Sequence, residues 1–96
     1  MLFRSVQADA CALPFADERF DTVVCLEVLE YVWQADRAMA EFARVLRQGG
    51  TLIVSTPFVH RVDADNDYWR FGEPALRRLA DEAGLTVRRE IGRAHV

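Results

Sequence analysis

The chain has 96 residues, about half of them hydrophobic, and a formal net charge of −3. This is the size and composition of one small soluble globular domain, which excludes disordered and collagen-like classes. The acidic balance leaves no basic footprint for nucleic acid, and no apolar run reaches membrane-spanning length. The opening "MLFRSVQADA" has neither the apolar core nor the cleavage site of a signal peptide. The expectation is therefore a cytoplasmic protein with no nucleic-acid or membrane partner. Cys11 and Cys25 are too few and too far apart for a metal motif, so two buried thiols and no metal are expected.

In chain order, "LFRSV" (Leu2 to Val6) reads as a short strand. "FDTVVCLEV" (Phe20 to Val28) is a nearly continuous apolar run, the pattern of a strand buried on both faces. Ala35, Ala38, Met39, Phe42 and Leu46 recur at helical spacing, and Gly49-Gly50 supply an expected helix stop. "TLIVSTP" (Thr51 to Pro57) reads as a second buried strand ended by proline. A polar and aromatic loop runs from Phe58 to Gly72, and Pro74 then sits where a first helical turn tolerates it. Leu76, Leu79, Ala80 and Ala83 share one helix face, Gly84 closes it, and "LTVRRE" (Leu85 to Glu90) begins another strand. The alternation predicts an open, mostly parallel α/β sheet with flanking helices. In such sheets ligands bind at the carboxyl ends of the strands, where Asp9, Glu27 and Pro57 fall.

The side chains at those ends carry two readings each. The Asp9 carboxylate can accept the exocyclic amino group of an adenine, and the Ala10 amide can donate to a ring nitrogen. Equally, Asp9 can cap its own loop while Pro14-Phe15 plug the core. Glu27 faces either a ligand cation or solvent. Tyr31 and Trp33 wall a pocket or pack. "DYWRFG" (Asp67 to Gly72) is a substrate lid or a hydrophobic latch, and His60, early in that loop, is a lone histidine of the kind more often solvated than catalytic. No Ser-His-Asp order, metal cluster, P-loop or G-x-G-x-x-G occurs in the sequence.

Taken together, "DACALPFADERFDTVVCLEVLEYV" and "AMAEFARVLRQGGTLIVSTP" resemble class I S-adenosylmethionine-dependent methyltransferases of the small-molecule type called methyltransferase type 11. That family reads D-A-x-x-L-P-F-x-D-x-x-F-D-x-V, then L-x-H-V, then E-x-x-R-V-L-K-P-G-G before a strand. The likeness spans about Val6 to Glu90, and "DYWRF" and "EAGL" resemble its C-terminal part. The resemblance implies an incomplete Rossmann-like α/β fold, S-adenosylmethionine as cofactor and a small-molecule methyl acceptor. It places Asp9 at the adenine amino group, the Ala10 backbone at the ring, and Leu26 and Glu27 at the turn beside the methionine portion. Tyr31, His60 and Tyr68, with Glu27, become the acceptor-side candidates. No catalytic residue is assigned, because methyl transfer needs chiefly in-line positioning and a dry site.

The departures are Tyr31 for the family's histidine, Gln34-Ala35 for its Asp-Pro helix start and Arg47-Gln48 for its Lys-Pro. The family's first strand, G-x-G-x-G loop and ribose-holding acid would precede Met1, so the expectation is the C-terminal part of a methyltransferase domain, inactive alone. At the other end stands "IGRAHV". A sequencing-library adaptor beginning AGATCGGAAGAGCACACGTCTGA, with its first AG completing the Glu90 codon, reads ATC GGA AGA GCA CAC GTC TGA. That is Ile91 to Val96 and a stop. The expected division is therefore a domain segment at 1–90 and translated adaptor at 91–96, which removes His95 from candidacy. Two rivals remain at this stage: a degenerate methyltransferase fold serving as a binding or regulatory module, and another nucleotide-binding α/β enzyme such as a nicotinamide oxidoreductase. The sequence names neither the acceptor atom nor an oligomeric state.

Overall fold

A computed structural model describes residues 5–57, 61–62 and 64–89. Within them run β1 (Phe20–Leu26), a 3-10 turn (Leu29–Tyr31), α1 (Ala35–Val45), β2 (Leu46–Ser55) and α2 (Glu73–Glu82). The two strands pair in parallel, and the chain between them passes through α1. This is a β-α-β unit with a second helix added, an incomplete Rossmann-like α/β architecture with an open sheet and flanking helices.

The local causes are plain in α1. Its buried residues are Ala35, Ala38, Met39, Phe42 and Val45, three and four apart, so they form one stripe. Gln34 starts the helix with no side-chain cap; only its carbonyl serves, accepting the amides of Arg37 and Ala38 at 3.0 and 3.2 Å. The stripe lies on the sheet and joins Cys25, Leu29, Val23, Leu52 and Val54 in one core, which Leu76 and Leu79 of α2 and Ala83 just after it extend. α2 ends as its glycine predicts. Gly84 takes a left-handed φ of +82°, its amide donates to the Asp81 carbonyl and that of Leu85 to Ala80, which satisfies the last turn.

Several expectations need correction. The glycine pair does not stop α1. The helix ends at Val45, Leu46 already pairs with Phe20, and the glycines follow inside β2, where the ladder jumps to Thr22 opposite Thr51. Gly50 is required at this jog, because a Cβ there would lie 2.9 Å from the carbonyl oxygens of both Arg47 and Asp21. β2 accordingly starts earlier than Thr51 and ends at Ser55.

The strands are also not buried on both faces. Val23, Cys25, Leu52 and Val54 point at α1, whereas Val24, Leu26 and Ile53 are each at least half exposed on the other side. Alternation by two puts successive side chains on opposite faces, and among the described residues nothing covers the far one. Finally, Ser5 and Val6 are not in a strand, and neither are Leu85 to Arg89. A strand needs a hydrogen-bonded neighbour strand, and neither segment has one among the described residues. Leu2 to Arg4, Phe58 to His60 and the tail from Glu90 lie outside the described residues. Cys11 and Cys25 are both free thiols, but only Cys25 is buried; Cys11 is half-buried. No helix among the described residues is long and apolar enough to cross a membrane.

Candidate functional site

The segment before β1 is built as a chain of short turns held from outside. Asp9 opens the first. Its Oδ1 accepts the Cys11 amide at 2.8 Å, its carbonyl accepts the Ala12 amide at 3.0 Å, and the two residues form an isolated antiparallel bridge. This is an Asx turn, which orients the carboxylate. Its second oxygen and the amide of Ala10 have no hydrogen-bond partner among the described residues. The loop-cap reading of Asp9 and the ligand reading are therefore compatible: one oxygen shapes the turn and the other is available.

Leu13 to Asp17 are clamped onto α1 by a pair the sequence reading passed over. Glu41 Oε1 accepts the Leu13 amide at 2.7 Å. Arg44 donates to the carbonyls of Leu13 (3.0 Å) and Phe15 (2.8 Å), to Asp17 Oδ1 (2.7 Å) and to Glu41 Oε2 (2.6 Å). The hydrogen bond from Arg44, then that from Leu13, holds the Glu41 carboxyl below its ordinary range. The Glu-x-x-Arg spacing was the available signal, since i and i+3 share a helix face.

At the end of β1 the chain makes a sharp exit. Glu27 takes φ of +54°, unusual for a residue with a side chain, and its amide donates to the Ser55 carbonyl at 2.7 Å. The strain lies at the carboxyl end of the sheet, where ligands of such folds bind. The 3-10 turn then buries Glu30, whose Oε1 has no hydrogen-bond partner among the described residues. Burial, and next the Glu30 carboxylate, push the Cys25 thiol up. The Glu30 carbonyl accepts the amides of Tyr68 and Trp69 at 2.8 and 3.2 Å, which docks the "DYWRF" segment on this turn. Asp67, fully buried at its side chain, grips Arg70 with both oxygens at 2.6 and 2.9 Å.

These contacts close an open cleft of about 370 Å³, with Asp9, Cys11, Tyr31, Trp33, Gln34 and Tyr68 among its walls. It brings together three of the expected site residues: Asp9, Tyr31 and Tyr68. Ala10, Leu26 and Glu27 do not line it. Ala10 packs against the core, and Leu26 and Glu27 stand exposed at the strand end. His60 lies outside the described residues. Cys11, Gln34 and Asn66 line the cleft without having been singled out. None of the three carried a site signal in the sequence; Cys11 lines the cleft because its amide closes the Asp9 turn.

Comparison with known proteins bears on this geometry. The family model described as "Methyltransferase domain" matches residues 2–54. A probable S-adenosylmethionine-dependent methyltransferase of Mycobacterium tuberculosis is 46% identical over 52 residues, 54% of this chain and 19% of that protein. A phosphatidylethanolamine N-methyltransferase of Cereibacter sphaeroides is 42% identical over 78 residues, 81% of this chain and 36% of that protein. A ubiquinone/menaquinone biosynthesis C-methyltransferase of Psychromonas ingrahamii is 39% identical over 78 residues, 77% of this chain and 31% of that protein. The chain thus spans between about a fifth and a little over a third of the length of these relatives.

Proposed function

This chain belongs to the methyltransferase domain family, of the class I S-adenosylmethionine-dependent type, and on that premise we propose that it supplies the adenine and acceptor sides of a methyl-transfer site for a small molecule. The observation that carries the reading is the meeting of Asp9, Tyr31 and Tyr68 in one cleft at the turn-rich end of the fold. The cleft's volume lies in the range of small-ligand sites, roughly 300–1,000 Å³. The Cereibacter and Psychromonas relatives, each matching more than three quarters of this chain, are named as a phosphatidylethanolamine N-methyltransferase and a ubiquinone/menaquinone biosynthesis C-methyltransferase.

The residues present fit the cofactor. The second Asp9 oxygen accepts the adenine amino group while Oδ1 stays bonded to Cys11, and the unpartnered Ala10 amide donates to a ring nitrogen. Leu26 and Glu27 shape the turn toward the methionine portion, with the Glu27 backbone fixed by Ser55. Tyr31, Tyr68 and His60 serve the acceptor. When bound, S-adenosylmethionine supplies a methyl group on a positively charged sulfur. The protein's work is to align the acceptor with it and to exclude water. The 96-residue sequence contains no G-x-G-x-G loop, so we take this chain by itself to hold the cofactor weakly and to be inactive.

The test is calorimetry with S-adenosylmethionine on a chimera in which this chain replaces the matching segment of the Cereibacter enzyme, beside the 96-residue chain alone. Asp9→Ala in the chimera is expected to weaken binding about tenfold, the loss of a hydrogen bond to a charged group at an exposed site. Unchanged affinity removes Asp9 from the site. Micromolar binding by the short chain overturns its assignment as inactive alone.

A further inference from the structure

The loop behind Asp9 is tied to α1 at every second residue, through Leu13, Phe15 and Asp17. A guanidinium has five N–H groups, and at Arg44 five contacts take them up. Nε donates to Glu41 Oε2, Nη1 to the Phe15 carbonyl and to Asp17, and Nη2 to the Leu13 carbonyl and to Glu41 Oε1 at 3.2 Å. The Arg44 carbonyl accepts the Glu18 amide at 2.9 Å as well. Nearer Asp9, the Cys11 Sγ donates to the Gln34 carbonyl at 3.5 Å, at the start of α1. Ala12, next to the clamped Leu13, donates its amide to the Asp9 carbonyl. An exposed ion pair adds little to stability, and a lysine would supply the charge. The planar fork does something else: it fixes where two loop carbonyls stand.

What is fixed is the order of two groups, the second Asp9 oxygen, an acceptor, and then the Ala10 amide, a donor. An adenine edge offers an amino donor beside a ring-nitrogen acceptor and pairs with that order. Hypoxanthine offers a carbonyl oxygen beside a ring N–H, so both contacts invert. The distinction holds only while the turn stays in register, within about 0.5 Å. A loop free to shift further lets the carboxylate take the ring N–H of hypoxanthine instead.

We infer that Glu41 and Arg44 are positioning residues that make the site selective for an adenine edge, by holding the Asp9–Ala10 turn in register through the Leu13–Asp17 loop. Neither side chain lines the cleft, so both act through the loop. The inference rests on the adenine reading of Asp9 and Ala10 and deepens it.

The test is NMR titration of the 96-residue chain with adenosine and with inosine, the nucleoside of hypoxanthine, read at the Ala10 and Cys11 amides. The unsubstituted chain should bind adenosine in the millimolar range and prefer it about tenfold, the scale of one hydrogen bond to a charged group at an exposed site. Arg44→Lys keeps the charge on α1 and loses the fork. Glu41→Gln keeps an acceptor for the Leu13 amide and loses the carboxylate's grip on Arg44. In each, the preference should fall below about threefold, while an unmoved Ala38 amide shows α1 intact. The two variants break the clamp independently, so one that fails to fold leaves the other to decide. If the pair only stabilises the fold, the two nucleosides weaken together and the tenfold ratio survives. That result overturns the proposal and leaves the adenine reading standing. An unsubstituted chain with no preference for adenosine overturns the adenine reading itself, and the clamp then has nothing to position.

Discussion

The two faces of the β1–β2 ribbon are made of similar residues in opposite surroundings. Toward α1 lie Val23, Cys25, Leu52 and Val54, packed with Met39 and Phe42; away from it lie Val24, Leu26 and Ile53, exposed among the described residues. Across the ladder the faces even match in register, Val24 opposite Ile53 and Cys25 opposite Val54. What differs is only the cover. Side-chain chemistry sets what a strand face can bury, and a separate element decides whether it does so. The covered face also has the functional consequence. It fixes α1, and α1 carries Glu41 and Arg44, which fix the Leu13–Asp17 loop that follows the Asp9 turn.

The largest effect should come from opening the covered face. Met39 is 1% exposed at its centre. Met39→Ala removes buried atoms and leaves a cavity, and is expected to cost about 2–5 kcal/mol in urea unfolding. A loss under about 1 kcal/mol would mean that the core collapses around the gap, and that the two faces differ less than their exposure indicates.

An intermediate effect should appear in acid, at the clamp that transmits this packing to the loop. The Glu41 carboxyl is held below its ordinary range first by its hydrogen bond with Arg44. A carboxyl depressed in the folded state stabilises it fully above the unfolded pKa, and that contribution is lost as pH falls through the lower folded value. Protection of the Leu13 amide against hydrogen exchange should therefore hold down to the ordinary glutamate range, about pH 4.3, and fall below it relative to the Ala38 amide inside α1. Glu41→Gln should abolish that difference in pH response. Parallel loss at both amides would show that the loop and the helix open as one unit.

Legibility in the sequence follows the range of the interaction. The α1 stripe was readable because its periodicity is local: Ala35, Ala38, Met39 and Phe42 are all buried as expected. The capped end of α2 at Gly84 was readable for the same reason. β1 was readable as a strand but not as a one-sided one, since the cover on its second face would have to come from residues distant in sequence. "LTVRRE" has strand chemistry and no partner, so the described part of it does not form one. At the site, Asp9 could be picked from its motif, whereas the Asx turn that orients it had to be seen. The clamp joins Leu13 to Glu41 across 28 positions, beyond any local pattern. The cleft wall at Tyr68 needed the docking of Tyr68 and Trp69 on Glu30, which joins two segments that no spacing rule relates.

The smallest effect should come from the far face, and it sharpens the comparison most. Val24 is 57% exposed, and Thr keeps its branched shape and its preference for strands while replacing a methyl with a hydroxyl. If water is already the neighbour, Val24→Thr gives the hydroxyl what it needs and changes stability by less than about 0.5 kcal/mol. If another surface covers Val24 and Ile53 in solution, the hydroxyl is buried without a partner and the loss rises to roughly 1–3 kcal/mol. Repeating the unfolding at a hundredfold range of protein concentration separates the sources of such a cover. A penalty that grows with concentration marks a second copy of the chain on this face, because association stabilises by mass action. A large penalty independent of concentration would place the cover within the chain itself, and the two faces of the ribbon would then be alike in burial as well as in composition.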